Sequence, residues 1–150
     1  MGQQSDKLTY EDISVGDEAI SVARTVTETD VVSFAGLSGD FNAMHIDEEF
    51  AKKTVFGTRV AHGLCVLSIA SGLWFSMPRL ATIAFMGLED WRFSKPVKFG
   101  DTIRITRKVV EKREHKRPNM GFVIFEVNVL NQNDEVVQNG KWVILVERKG

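Results

Sequence analysis

Hydrophobic and polar positions change period twice along this chain, and each change marks a new kind of element. Residues 1–8 are polar and predict a loose start; residues 10–17 close on Gly16-Asp17, a turn leading into a strand. That strand is expected over 18–26, with Ile20, Val22 and Ala23 meeting the core. From Thr27 the period lengthens. Val31, Phe34, Ala35 and Ser38 recur at helical spacing and predict a short helix capped by Thr27 or Thr29. Residues 46–53 carry acids first and lysines last, which suits a helix dipole, and predict a further helix ending near Gly57. Residues 62–77 are apolar nearly all round, through Leu64, Cys65, Val66, Leu67, Ile69, Ala70, Leu73, Trp74 and Phe75. A helix of that kind is buried, and Pro78 stops it.

Beyond Pro78 the period falls to two. Residues 82–93 read as a strand broken near Gly87. Ile103, Ile105 and Val109 mark a strand to about Lys112; Val123, Phe125, Val127 and Val129 alternate along another; residues 142–146 make the last. Pro118-Asn119 and residues 131–134 supply the turns. A first strand, a buried helix and four more strands predict an α+β domain, an antiparallel sheet curled around a helix.

Composition narrows the setting. At 150 residues, 43% apolar and 26% charged, the chain is expected to be one globular domain over 1–150. A net charge of −1 offers no global field to nucleic acid or an anionic membrane, and no stretch is apolar for long enough to span a bilayer. Met1 to Asp6 lacks the apolar core of a signal peptide. The single cysteine, Cys65, sits in an apolar helical run and reads as an inert buried thiol, consistent with a reducing, cytoplasmic setting. Three histidines and one cysteine show no ligand spacing, so no metal is expected.

The chemistry is concentrated in Ser38-Gly39-Asp40-Phe41-Asn42-Ala43-Met44-His45, which gathers a carboxylate, an amide and an imidazole between two apolar-patterned segments. Gly39 permits a tight turn, and Asp40 and Asn42 readily cap one with their own side chains. Asp40 and His45 can converge across such a turn on one water, one taking its proton while the other supports or returns it. The plain alternative is an Asx-turn at Asp40 with no chemistry.

The run Phe34-Ala35-Gly36-Leu37-Ser38-Gly39-Asp40-Phe41-Asn42-Ala43-Met44-His45 resembles the signature of the (R)-specific enoyl-CoA hydratases, the MaoC-like dehydratases of the hot-dog fold. Arg59-Val60-Ala61-His62-Gly63-Leu64, followed by Ser71-Gly72, resembles that family's second landmark at the start of the long central helix. Ala43 departs from the pattern, standing where the family commonly has proline; the change frees φ but removes no chemical group. The resemblance implies an antiparallel sheet wrapped around a long central helix. It also implies a homodimer or dimer of dimers, with sites near the subunit interface.

The implied reaction is syn addition of water to a trans-2-enoyl-CoA, giving an (R)-3-hydroxyacyl thioester, or the reverse dehydration. Coenzyme A is part of the substrate and no separate cofactor is implied. In that scheme Asp40 and His45 hold and deprotonate the water, with the main base of the two left open, and the N–H of Gly63 receives the thioester oxygen. A helix N-terminus suits that oxygen as it gains negative charge, although Gly63 would equally allow close packing. Asn42 would hold the water or the turn. Ser71, two turns beyond Gly63, would line the same cleft unless its hydroxyl bonds a carbonyl one turn back. His62 reads as structural and His115 as solvated charge; Arg59, Arg92 and Lys98 could contact coenzyme A phosphates, with solvated charge the preferred reading of each. Two rival readings are a hot-dog acyl-CoA thioesterase and a non-catalytic acyl-CoA-binding domain.

Overall fold

The computed structural model describes residues 6–150. Strands β1 (Glu18–Ile20), β2 (Arg24–Thr25), β3 (Thr82–Phe93), β4 (Thr102–Glu114), β5 (Met120–Leu130) and β6 (Val136–Glu147) pair antiparallel in the order β1-β4-β5-β6-β3, with β2 also on β4. Helix α4 (Gly63–Leu73) packs on this sheet. Its Val66, Ile69, Ala70 and Leu73 join Ile103, Ile105, Val123, Phe125, Val127 and Ile144 in one buried cluster. Each Val, Leu, Ile or Phe side chain among them contributes about 1.5–3 kcal/mol when withdrawn from water, so the cluster anchors the helix. The α+β arrangement of a sheet around a central helix is therefore the observed one.

The first strand departs from expectation. Ile20 and Val22 face solvent, Ser21 is buried, and the chain leaves the ladder between β1 and β2. The cause is local: Ser21 Oγ accepts the N–H of Ile105 at 2.8 Å, so a side chain stands where the next backbone pairing would be. The inward phase passes to Ser21 and Val26.

Helix α1 (Glu28–Ser38) begins as expected at Thr27, whose hydroxyl and the Asp30 carboxylate cap each other's backbone N–H. The segment expected as one helix over 46–53 is two single turns, α2 (Ala43–Ile46) and α3 (Glu48–Ala51). Asp47 separates them in an extended conformation and caps α3 by accepting the N–H of Phe50. The regular part of α4 ends at Leu73, and Trp74–Ser76 tightens into a 3-10 turn before Pro78. Nor is that helix buried all round: Leu64 is 59% and Phe75 68% exposed, on the side away from the sheet.

Two further differences bear on the site and the ends. Strand β6 begins at Val136, well before 142, because backbone ladders to β5 and β3 hold a polar stretch that carries no period-two pattern. The loose start expected over 1–8 stops short of Leu8, which exchanges backbone hydrogen bonds with Arg79 and Ala81; residues 1–5 lie outside the described residues. Among the described residues no helix is long and apolar enough to cross a membrane.

Candidate active site

Helix α1 ends where Gly39 takes φ +81°, a left-handed conformation that favours glycine. Three side-chain caps then follow in succession. Ser38 Oγ accepts the N–H of Asp40 at 3.1 Å, Asp40 Oδ1 accepts the N–H of Asn42 at 3.1 Å, and Asn42 Oδ1 accepts that of Met44 at 3.3 Å. Asp40 is thus an Asx-turn residue through one oxygen only. Its other oxygen, Oδ2, lies 3.9 Å from His45 Nε2.

The single turn α2 buries the His45 ring, leaving the residue 6% exposed, and its Nδ1 sits 2.7 Å from the carbonyl of Val60. A carbonyl only accepts, so Nδ1 carries a hydrogen and, in the neutral ring, Nε2 presents its lone pair toward Asp40. Val60 is braced in turn. The neighbouring Arg59 donates from its backbone and its guanidinium to Glu48, whose carboxyl is held below the usual range, chiefly by the Thr58 hydroxyl. The separation of 3.9 Å is too long for a direct hydrogen bond and leaves room for a shared water.

The second half of the site is the start of α4. His62 flanks the helix and no side chain caps it, so the first N–H groups have no intrahelical acceptor and none from a capping side chain. Gly63 lines a cavity of about 420 Å³ together with His45, Met44, Val66, Phe93 and Gln138. A Cβ at Gly63 would stand 2.7 Å from the Phe93 ring, so any residue but glycine makes that ring shift. Gln138, 2% exposed, donates to the Gly63 carbonyl at 2.9 Å and accepts from Trp91 Nε1 at 3.2 Å. The early start of β6 is what brings it there, and no pattern in residues 136–141 signalled it.

His62 also belongs to this group. Its ring stacks on His45 with centroids 3.7 Å apart and 26° between planes, and its Nε2 lies 2.9 Å from the Asp40 carbonyl. Asp40, His45 and His62 all place a potential ligand atom within 4.8 Å of one another. The arrangement does not suit a single metal ion. An ion lies in the plane of each ligating ring about 2.0–2.1 Å from its nitrogen, and two stacked rings offer no common point of that kind. His45 Nδ1 and His62 Nε2 are also committed to carbonyls.

Asn42 holds the turn, with its side chain on the Met44 N–H. Ser71 is corrected: it is exposed, donates to the Ser68 carbonyl at 2.6 Å, and stands apart from the residues lining the cavity. Helical spacing had placed it on the face of Gly63, but that face at Ser71 looks outward. Arg59 is bound by Glu28 and Glu48. Burial pushes the Cys65 thiol up to about 11, the behaviour of an unreactive thiol.

The family model described as MaoC like domain matches residues 14–130. The chain is 34% identical over 142 residues to the (R)-specific enoyl-CoA hydratase of Rhodospirillum rubrum, covering 94% of this chain and 93% of that protein. It is 44% identical over 96 residues, 64% of its length, to Protein MaoC of Klebsiella aerogenes, a match spanning 29% of that longer protein. Among solved structures it superposes on the MaoC-like dehydratase from Rhodospirillum rubrum with a TM-score of 0.85 at 29% identity, covering 95% and 99% of the two chains. Its fold is shared with Rv0216 of Mycobacterium tuberculosis, described as a double hot-dog fold, at a TM-score of 0.86 and 16% identity over 97% of this chain and 46% of that one. With a cap-rich Asp40–His45 turn, an uncapped helix start at Gly63 and these likenesses together, the chain belongs to the MaoC-like domain family and has the hot-dog fold.

Proposed function

We propose that this protein is a hydro-lyase that adds water to the double bond of a trans-2-enoyl-CoA and removes it in the reverse direction, forming an (R)-3-hydroxyacyl thioester. The observation that carries the reading is the 3.9 Å separation between Asp40 Oδ2 and His45 Nε2, beside a cavity that also reaches Gly63. A water between two acceptors, a carboxylate oxygen and an imidazole lone pair, presents its own lone pair to an electrophile. The thioester oxygen takes the Gly63 N–H, which draws electrons from the double bond and makes C3 electrophilic. Water attacks C3 as its proton passes to the Asp40–His45 pair. The same pair returns a proton to C2 on the same face, which gives syn addition. Asn42 acts through the turn, and coenzyme A enters as part of the substrate. The (R)-specific enoyl-CoA hydratase among the relatives supports this assignment.

The quaternary proposal is a homodimer. Among the described residues strand β3 pairs on one side only, with β6, and it exposes Ile83, Phe85, Met86, Leu88 and Phe93. A long apolar edge of this kind is a template for a second strand. Phe93, at its end, also lines the cavity, so a second copy there would adjoin the site. The buried free thiol of Cys65 suits the reducing cytoplasm, the compartment we assign.

Incubation with crotonyl-CoA and with a saturated acyl-CoA tests the reaction. Loss of the enoyl absorbance without release of thiol is expected, with (R)-3-hydroxybutyryl-CoA as product. Thiol release from either compound would instead establish a thioesterase, and binding without turnover a non-catalytic domain.

A further inference from the structure

The reaction above uses Asp40, His45 and Gly63 and leaves His62 without a task, although His62 meets all three. It precedes Gly63 directly in the chain, stacks on His45, and bonds the backbone carbonyl of Asp40. Because that carbonyl only accepts, Nε2 carries the ring hydrogen and Nδ1 bears a lone pair. The lone pair is buried and finds no partner among the described residues. A residue serving only to fill space there would be better replaced by phenylalanine, which carries no orphaned nitrogen. The imidazole is therefore accounted for by what its N–H does.

What it does is tie the Asp40 end of the turn to the start of α4, while the His45 end is held separately through Val60. The caps at Ser38, Asp40 and Asn42 shape the turn within itself, and His45 is tied to Val60. Asp40 is held otherwise only by caps within its own turn, and its side chain is 52% exposed. Phe34 packs on the other part of the His62 ring, with centroids 4.9 Å apart, and holds it in place.

We infer that His62 is a positioning residue: by gripping the Asp40 carbonyl while its ring lies flat on His45, it sets the Asp40–His45 separation that holds the water and fixes it relative to the first N–H of α4. Its catalytic consequence rests on the hydratase reading; its structural content does not. A displacement of about 1 Å in such a constellation costs on the order of a hundredfold in rate.

Two variants separate the bond from the bulk. His62→Phe keeps the stacked ring and removes the donor, whereas His62→Gln supplies an amide N–H without the ring. With crotonyl-CoA, His62→Phe should lower kcat by about ten- to a hundredfold with KM changed by less than about twofold, and His62→Gln should recover most of that loss. Nitrogen-15 spectra of the wild type should show the His62 hydrogen on Nε2, and the Asp40–Phe41 peptide resonance should move in His62→Phe but not in His62→Gln. An unchanged kcat in His62→Phe, an effect confined to KM, equal losses in both variants, or a hydrogen on Nδ1 overturns the inference. Should the wild type fail to hydrate crotonyl-CoA, the hydratase reading falls, and the spectra alone decide whether His62 holds Asp40.

Discussion

At the scale of single residues the site works by dividing labour within one side chain. Asp40 gives Oδ1 to its turn and leaves Oδ2 free, 3.9 Å from His45, so the Asx-turn and the catalytic readings of this residue are compatible. Asp40→Asn preserves the cap through its amide oxygen while removing the negative charge. Steady-state kinetics should show kcat reduced by about 10²–10⁴-fold with an unchanged melting temperature. Gly63 also serves two neighbours, lining the cavity at the uncapped start of α4 and presenting a bare Cα to Phe93. Gly63→Ala should cost about 1 kcal/mol, at the low end for overpacking because the half-exposed Phe93 ring can swing aside. A urea double-mutant cycle with Phe93→Ala should show that cost disappear when the ring is absent. Both residues were legible as candidates, since an Asp-x-Asn turn followed by His, and a His-Gly opening an apolar run, are local patterns. His62 was legible in position but not in role, because only folding brings its ring onto His45.

At the scale of elements, local capping decides more than hydrophobic period. Thr27 and Asp30 start α1 and Asp47 splits the 46–53 segment, while Ser21 breaks the first strand through its bond to distant Ile105. Ser21 illustrates why period failed there: its hydroxyl replaces a ladder acceptor, so an inward polar residue displaced Ile20 and Val22 from the core. Ser21→Ala leaves the N–H of Ile105 buried without that acceptor. Denaturation should report a loss of about 1–3 kcal/mol, more than a solvent-facing Ser→Ala change would give. The same lesson holds for Gln138, since a polar stretch becomes part of β6 only because strands on both sides pair with it.

At the scale of the whole molecule, the chain ends are clasped. Glu11 is pulled down to about 2 by the backbone N–H of Lys149 and the guanidinium of Arg148, and Asp12 to about 2 by the Lys149 ammonium and Thr9. Their ordinary values are 4.5 and 3.8. Carboxyls lowered on folding contribute stability that is complete above those ordinary values and lost as pH falls toward 2. A Glu11→Gln/Asp12→Asn variant should therefore melt slightly below the wild type at pH 7, with the two midpoints converging as pH falls through about 2. Added salt should also narrow the gap, because the pairs are exposed. The edge at β3 carries the other molecular prediction. Met86→Arg should shift the sedimentation coefficient from that of a dimer to that of a monomer; an unshifted dimer would place the interface elsewhere.

Sequence by itself determined the α+β class, the buried helix, most of the strands and the Asp40, His45 and Gly63 candidates, because those depend on period, capping residues and short motifs that act within a few residues. Tertiary structure alone decided the outward face of Ser71, the stacking of His62 on His45 and the reach of Gln138 to the Gly63 carbonyl. Each of those depends on how distant segments are rotated and paired against one another, a property of the packed sheet and helix that no local pattern encodes.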